Sequence, residues 1–379
     1  MMHQLAVELY RRGHSVMLAT PSSALTVQVE VDRQYGFSVV RFASGKFKNT
    51  GKLRRAVNEL LFPWRLLRAL KKVDLPNGVD LIVYYSPSIF WGPAVSRLKK
   101  RWCCPSYLIL RDIFPQWCVD SGILSGNSPI YFFFKLLERI NYRAADRVGV
   151  QTASNLEYFK EHRYAQGKTE VLYNWFDCGA QLPDPGGFRS KLRLEGKVIY
   201  FYGGNIGSAQ DMMNIVRLAR NMSVYPEAHF LLVGNGDEYS VVESKKREWH
   251  LDNLTLLKTI DQKKYFSLLR EIDVGMLTLH PGHRTQNFPG KLLGYMFCAK
   301  PILGSINPGN DTMSIINDAG AGLISVNPDD RQLLENAKSF LDPARRAACG
   351  IKAKELLISK FSVAAAADRL VALAIRRTE

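Results

Sequence analysis

Residues 198–220 read VIYFYGGNIGSAQDMMNIVRLAR, and this stretch decides the fold class. An apolar run enters a glycine-rich turn at residues 203–207 and continues into a helical pattern. The same order recurs at residues 230–239, FLLVGNGDEY. Strands that pass through glycines into helices are typical of nucleotide-binding α/β domains, in which ligands bind at the carboxyl ends of the strands.

The same alternation of strand-like and helical segments extends outward to both ends of the chain. Several apolar runs have no polar alternation, as expected for strands buried on both faces. Because helical stretches separate most of them, the sequence predicts α/β domains with parallel sheets covered by helices. The predicted strands are residues 15–20, 37–42, 80–86, 106–111, 147–152, 169–174, 197–204, 229–236, 254–259, 273–279, 301–305 and 321–326.

A length of 379 residues suits two domains. The turn-rich stretch at residues 178–191, CGAQLPDPGGFRSK, predicts the linker between them. We therefore expect an N-terminal Rossmann-like domain over residues 1–180, a C-terminal one over residues 190–360, and a terminal helix over residues 361–379.

The N-terminus departs from this plan, because residues 1–20 read as a helix followed by a strand. A doubly wound domain opens with a strand and a glycine-rich turn, and that strand lies near the middle of the sheet. Without it, its neighbours keep unpaired backbone groups, which are costly when buried. The first strand of the N-terminal domain is therefore predicted to be missing, with the true start upstream. The alternative is that a later segment takes its place.

The chain is basic, with 51 Lys and Arg against 35 Asp and Glu, a net charge of +16. Residues 1–185 contribute +10 of this, from 25 basic and 15 acidic residues. Such a balance indicates a polyanionic partner: nucleic acid, anionic lipid or a phosphorylated substrate. The recognition modules of nucleic-acid-binding proteins are not found, so no nucleic-acid partner is predicted.

Residues 46–72 carry nine Lys or Arg against one acid, with apolar residues at helical spacing. This pattern is typical of a helix on an anionic membrane surface, and equally of an ordinary helix with solvated charges. The segment IYFFFKLLERINYR at 130–143 adds a second aromatic, basic patch. The predicted membrane or acceptor contacts are Arg54, Arg55, Trp64, Arg65, Arg68 and Arg111.

A polar loop at residues 280–290 leads into a predicted helix that begins near Lys291. A lysine there directs a cation toward a helix N-terminus that already favours anions; the alternative is a solvated surface lysine. His280 and His283 have no further ligand cluster nearby, so no metal site is predicted. The predicted donor-site residues are Gly203, Gly204, Asn205, Gly207, Gly234, Gly236, Arg284, Gln286, Asn287, Phe288, Lys291 and Leu292.

Several segments, in order, resemble the family 4 retaining glycosyltransferases of GT-B fold, most of all the bacterial surface-polysaccharide branch that includes N-acetyl-fucosamine transferases. The segments are LAVELYRRGHSVMLATP, YYSPSIFWGP, LILRDIFPQW, YGGNIGSAQ, LLVGNGDEY and FPGKLLGYMFCAKPIL. The resemblance implies two Rossmann-like domains facing a cleft. The donor would lie in the C-terminal domain and the acceptor in the N-terminal one, and the terminal helix would cross back to the first domain.

The resemblance also implies an activity: transfer of a sugar from a UDP-linked nucleotide-sugar, with retention of anomeric configuration. A deoxy N-acetyl sugar is the candidate donor sugar. The acceptor would be a polyprenyl-diphosphate-linked glycan in O-antigen or capsule synthesis. This implies a cytoplasmic enzyme at the inner face of the membrane, without cofactor or metal. Asp112 would orient the acceptor hydroxyl or donor sugar, the alternative being a turn-capping carboxylate, and Lys291 would stabilise the leaving diphosphate.

The chain departs from that family at four positions. Many members carry two glutamates where this chain has Gln286 and Gly294, neither of which can ionise. Asn205 replaces a frequent arginine, and Asp211 lies near the usual lysine. Three alternatives therefore stand beside the transferase: a nucleotide-sugar epimerase of the same fold, a nucleic-acid-binding protein, and an inactive or truncated paralogue.

Overall fold

The structure is a computed structural model. It describes residues 1–33, 35–46, 51–86, 88–120, 122–162, 164–165, 167–282 and 288–375, without the side chains of residues 52, 53, 117 and 120. The chain divides into two compact units. The first holds residues 1–174 and the C-terminal helix, and the second holds residues 175–362.

The first unit alternates strands and helices from its N-terminus. Ser128 begins its longest helix: its Oγ accepts a hydrogen bond from the Tyr131 N–H, and Pro129 occupies the first helical position. The elements are α1 (Met2–Arg11), β1 (Met17–Ser22), β2 (Val29–Asp32), β3 (Ser38–Ala43), α2 (Lys52–Leu60), α3 (Phe62–Leu70), β4 (Ile82–Tyr85), α4 (Gly92–Trp102), β5 (Ser106–Ile109), α5 (Gln116–Asp120), α6 (Pro129–Ala144), β6 (Arg147–Val150), α7 (Ala153–Glu161) and β7 (Thr169–Val171).

The strands of the first unit form two separate sheets. One has the order β1-β3-β2, with β2 antiparallel to β3, and the other is parallel with the order β4-β5-β6-β7. Among the described residues, no strand lies between β1 and β4, so each ends its sheet. This is where the missing first strand was expected.

The second unit holds one parallel sheet of six strands in the order β10-β9-β8-β11-β12-β13. Its central strands are buried on both faces, which explains their continuous apolar sequences. The elements are α8 (Phe188–Lys191), β8 (Val198–Asn205), α9 (Met212–Asn221), β9 (Ala228–Asn235), α10 (Tyr239–Glu248), β10 (Leu254–Leu257), α11 (Gln262–Glu271), β11 (Val274–Thr278), α12 (Lys291–Phe297), β12 (Ile302–Ile306), α13 (Asp311–Asp318), β13 (Gly322–Val326), α14 (Asp330–Ser339) and α15 (Pro343–Lys360).

The predicted fold class is confirmed, since both units are Rossmann-like α/β structures. All twelve predicted strands are present, with ends shifted by a few residues. The sequence prediction missed β2, a short and partly exposed strand. Polar residues alternate with valines there, so the strand has no continuous apolar run.

The boundary between the units lies earlier than the predicted linker. Phe176 pairs with Ser362, donates its N–H to the Phe361 carbonyl, and packs its ring 4.7 Å from that of Phe297. These contacts assign the segment after Trp175 to the second unit. The last helix, α16 (Val363–Ile375), instead packs on α1, where Arg12 Nη1 lies 2.6 Å from Asp368 Oδ1.

Candidate nucleotide-sugar site

A cavity of about 330 Å³ opens at the carboxyl ends of β8, β9 and β10 in the second unit. This is the edge at which ligands bind in open α/β sheets. Six of its nine lining residues come from the carboxyl ends of β8 and β9. The lining residues are Gly203, Gly204, Asn205, Val233, Gly234, Asn235, Thr259, Ile260 and Tyr265.

The glycines at the end of β9 allow the two turns to approach each other closely. A Cβ at Gly234 would lie 1.8 Å from the Gly204 carbonyl oxygen, and one at Gly236 would lie 2.1 Å from the Ile206 oxygen. Both distances are far below van der Waals contact, and backbone atoms cannot move aside cheaply. Of these two predicted site residues, Gly234 lines the cavity and Gly236 supports the turn.

The glycines at the end of β8 serve different purposes. Gly203 makes room for the Tyr265 ring, because a Cβ there would lie 2.6 Å from Tyr265 Cε2. Gly204 has a φ of +141°, which disfavours other residues. Gly207 makes room for Asp237, which a Cβ would approach to 2.5 Å, and it does not line the cavity.

Lys291 places its ammonium group at the Gly204 turn. Its Nζ lies 3.6 Å from the centroid of the Tyr202 ring and would lie 3.2 Å from a Cβ on Gly204. Within the described part of the chain, no carboxylate forms an ion pair with it. Burial lowers the pKa of Lys291 to about 7. A half-buried cation without a described carboxylate partner is suited to an anionic ligand.

Three tyrosines pack at the Gly203–Gly204 turn: Tyr202 and Tyr295 are buried, and Tyr265 is half-buried. The Tyr202 hydroxyl donates to the Asn205 carbonyl at 2.6 Å, and the Tyr295 hydroxyl accepts the Gly203 N–H at 3.2 Å. Burial raises the pKa of Tyr265 to about 12, so this ring stays neutral at physiological pH. The tyrosines therefore fix the turn without adding a negative charge beside Lys291.

Both halves of the chain match glycosyltransferase family models. Residues 1–179 match the model described as Glycosyltransferase Family 4, and residues 197–343 match the one described as Glycosyl transferases group 1. The chain is a member of the glycosyltransferases.

One curated relative and two solved structures extend this comparison. A probable glycosyltransferase, WbjE of Pseudomonas aeruginosa, is 26% identical over 226 residues, covering 57% of this chain and 54% of the relative. The chain thus spans about half the length of that relative. Sucrose-phosphate synthase from Thermosynechococcus elongatus has a TM-score of 0.69 at 17% identity, covering 100% of this chain and 92% of that chain. Anabaena HepE, solved with UDP-glucose, has a TM-score of 0.65 at 14% identity, covering 99% and 94%. These two likenesses show a GT-B fold.

The helix after the first turn does not begin where the sequence indicated. β8 continues to Asn205, a short 3₁₀ turn follows at Ser208–Gln210, and α9 begins only at Met212. The Met212 N–H donates to Glu238 Oε2 at 3.4 Å. The Glu238 carboxylate therefore caps the N-terminus of α9.

Asp211, near the position of the usual family lysine, is part of a buried polar network. Its carboxylate accepts a 2.8 Å hydrogen bond from Asn327 Nδ2, and the same amide group donates to the Leu279 carbonyl. Asn214 Nδ2 also donates to Asn327 Oδ1. The network ties the turn after β8 to the ends of β11 and β13.

Two predicted donor-binding side chains are directed into the protein core. Leu292 is fully buried, and the buried Phe288 ring stacks on Phe361 with centroids 4.4 Å apart. Neither lines the cavity, because these apolar side chains are used for packing, so a donor contact from either residue would have to come from its backbone. Gly294 lies against Leu269, which a Cβ would approach to 3.0 Å. Arg284, Gln286, Asn287 and His283 lie outside the described residues.

Five cavity residues escaped the sequence prediction: Val233, Asn235, Thr259, Ile260 and Tyr265. Thr259 and Ile260 follow β10. Because ligands bind at the carboxyl ends of strands, their position in the sequence is a signal for the site. Tyr265 lies on α11, and no local pattern distinguishes it from other aromatic residues on helices.

In the first unit, Asp112 lies at the carboxyl end of β5. Burial raises its pKa, although Arg111 beside it partly opposes the shift. Arg111 is itself buried and donates to the Leu172 and Tyr173 carbonyls, while its own carbonyl accepts from Gln151 Nε2. The Arg111 side chain is therefore not presented to a membrane surface, because its guanidinium group binds backbone oxygens after β7.

The other predicted membrane contacts differ in their exposure and in their bonding partners. Arg54 and Arg68 are exposed, as is Trp64 at 55%. Arg55 is exposed but pairs with Glu59 at 2.7 Å. Arg65 is half-buried and donates to the Ser44 carbonyl and to Asn58 Oδ1, which occupies its guanidinium group within the protein.

Neither a metal site nor a membrane span is found among the residues described. No group of three His, Cys, Asp or Glu side chains there is arranged to hold an ion. The exposed His280 uses its Nδ1 to accept the Gly282 N–H. None of the helices described is both long and apolar enough to cross a bilayer.

Proposed function

We propose that this chain is a UDP-sugar-dependent glycosyltransferase that binds its donor in the second unit. The observation that carries the proposal is the Lys291 ammonium group, without a described carboxylate partner, beside the backbone turn that lines the cavity. A donor diphosphate needs such a cation, and HepE, of similar fold, was solved with UDP-glucose.

In the proposed reaction, an acceptor hydroxyl oxygen forms a bond to the anomeric carbon of the sugar. The bond between that carbon and the diphosphate oxygen breaks, and the diphosphate leaves with the electron pair. The hydroxyl proton passes to the diphosphate. Lys291 stabilises the negative charge that grows on the leaving group, which lowers the barrier. We propose that the reaction retains anomeric configuration and needs no metal.

For the acceptor, we propose a polyprenyl-diphosphate-linked glycan of surface-polysaccharide synthesis, and for the donor sugar a deoxy N-acetyl sugar. Support comes from the ordered segments that resemble the polysaccharide branch of the family. Asp112 would orient the acceptor hydroxyl or the donor sugar from the first unit. Because such a glycan is held in a bilayer, the proposal implies a cytoplasmic enzyme working at the inner face of the membrane.

The donor site is tested by the melting temperature of the chain with UDP, GDP, ADP and dTDP. A nucleotide at 100 times its dissociation constant stabilises the fold by about 2.7 kcal/mol, so selective binding of UDP gives a selective shift. Lys291→Met should weaken UDP affinity about 100-fold, since it removes the partner of a charged ligand. Lys300→Met is the matched control, because Lys300 is also partly buried but donates to the Arg270 carbonyl.

If no nucleotide shifts the melting temperature, or if Lys300→Met weakens UDP as much as Lys291→Met, the donor site is wrongly placed. Incubation of labelled donor without acceptor separates the epimerase alternative. An epimerase changes the sugar under these conditions, whereas a transferase needs an acceptor.

A further inference from the structure

Three helices of the first unit lie side by side over its sheets. α3 packs on α4, β1 and β3, and α4 packs on α6 and β4. The α4 and α6 backbones are close, because a Cβ at Gly92 would lie 2.9 Å from the Asn141 Cα. These helices are far apart in sequence, so only folding brings their exposed side chains together. We call those exposed side chains the outer face.

The outer face is cationic without compensating acids. Together α3, α4 and α6 contain nine Lys or Arg and one acid, Glu138. That acid is fully buried and pairs with Lys135 at 2.7 Å, so it contributes no exposed charge. The exposed cations of the three helices are Arg68, Arg97, Lys100, Arg101, Arg139 and Arg143.

Large apolar side chains are exposed among these cations. Phe132 and Ile130 of α6 are 59% and 58% exposed, and Phe133, Leu136 and the Trp64 ring of α3 are exposed to a similar degree. On α6 the exposed residues recur at helical spacing and change from apolar to Arg139 and Arg143 along the helix. A clustered apolar patch of this kind marks an interaction surface.

We propose that the outer face docks on an anionic lipid bilayer. Aromatic and aliphatic side chains enter the boundary of the acyl region, while Arg and Lys bind lipid phosphates. Pairing with a second copy is disfavoured because six exposed cations would face six others. Nucleic acid offers phosphates but nothing for Ile130 and Leu136 to bury against. The inference deepens the proposed function, on which it rests for the lipid-linked acceptor that brings the enzyme to a membrane.

The test is co-sedimentation of the full chain with phosphatidylcholine vesicles, with and without phosphatidylglycerol. Binding should require phosphatidylglycerol and weaken in high salt. Arg139→Gln combined with Arg143→Gln should lower the partition coefficient about 10- to 30-fold. Phe132→Ser combined with Phe133→Ser should lower it at least as much. Val224→Ser combined with Ile351→Ser is the apolar control, since both residues are exposed in the second unit.

UDP binding is measured on the same preparations, so loss of vesicle binding with intact UDP binding shows that the variants are folded. Three results overturn the docking proposal: no binding to phosphatidylglycerol vesicles, equal loss in the control variant, or a monomer–dimer equilibrium that the Phe132 and Phe133 changes abolish. Salt-sensitive RNA binding by the same face, without vesicle binding, also overturns it. A chain that binds vesicles but no nucleotide would instead count against the donor site.

Discussion

The two units share one plan, and they differ at the strand in the middle of the sheet. In the second unit β8 lies between β9 and β11, and its carboxyl end carries the glycine-rich turn of the candidate donor site. In the first unit β1 and β4 are the counterparts of β9 and β11. No described strand lies between them, and each ends its sheet. The strand position that carries the candidate ligand site in the second unit is therefore not filled by a described strand in the first.

Helices α3, α4 and α6 of the first unit differ in their charge pairing from several helices of the second. In the second unit, lysines and arginines pair along the helix with acids, as in Lys245–Glu248, Arg247–Glu243 and Lys338–Glu335. The first unit has such pairs on α2 and α7, as in Arg55–Glu59 and Lys160–Glu157. The helices over the first unit's sheets leave six cations exposed and bury their one acid. Surface pairs contribute little to stability, so the difference concerns partners more than folding.

The largest predicted effect concerns the buried pair of the first unit. Lys135→Met should destabilise the fold by about 3–5 kcal/mol, because Glu138 is left buried without a cation. Lys245→Met, which breaks an exposed pair in the second unit, should cost less than about 1 kcal/mol. Denaturant unfolding measures both. Equal losses would show that the two units do not differ in this respect.

The next prediction tests the close approach of the two glycine-rich turns in the second unit. Gly234→Ala should cost about 3 kcal/mol, because its methyl group would meet the Gly204 carbonyl oxygen. UDP affinity should fall with it, since the cavity wall would move. Gly78→Ala in the first unit, with no atom within 4 Å of the added Cβ, is the control and should be near neutral. A stable Gly234→Ala variant would contradict the close approach of the two turns.

Hydrogen exchange tests the break in the first unit's sheet directly. Backbone amides of β1 and β4 on the unpaired edges should exchange about 100-fold faster than those of β8, because no described strand supplies an acceptor for them. The central amides of β5 and β9 provide an internal reference in each unit. Equal protection of β4 and β8 would show that another segment covers the edge.

The smallest effect compares two lysines. Burial lowers the pKa of Lys135, but Glu138 outweighs it and raises that pKa overall, whereas burial lowers the pKa of Lys291 to about 7. Binding of a diphosphate requires the charged amine, so affinity should fall as pH rises through 7. The expected loss of UDP-glucose affinity is about tenfold between pH 6 and pH 8.

Calorimetric titration measures the UDP-glucose affinity, and UDP-glucose is the suitable ligand because both of its phosphates are diesters that do not titrate in this range. Lys291→Arg should bind without this pH dependence, since arginine remains charged. A wild-type affinity that is flat with pH would show that Lys291 is not a diphosphate contact.

Much of the donor site could be predicted from local sequence. Gly203, Gly204 and Gly234 follow apolar runs, and a parallel sheet brings the ends of such runs to one edge. The distinction among the glycines could not be predicted, because it depends on which neighbour fills the space. Gly236 faces the Ile206 carbonyl and Gly207 faces Asp237. The burial of the Phe288 and Leu292 side chains could not be predicted for the same reason, since proximity in sequence does not tell a packing side chain from a binding one.

The sequence by itself determined the α/β class and the twelve predicted strands, because these depend on hydrophobic periodicity and turn chemistry along the chain. Only the tertiary structure decided that Lys291 lies over Tyr202, that Arg111 binds buried carbonyls, and that α3, α4 and α6 present one cationic face. These facts depend on which distant segments become neighbours. Periodicity carries no information about that, since it records only whether a residue faces the core or the solvent.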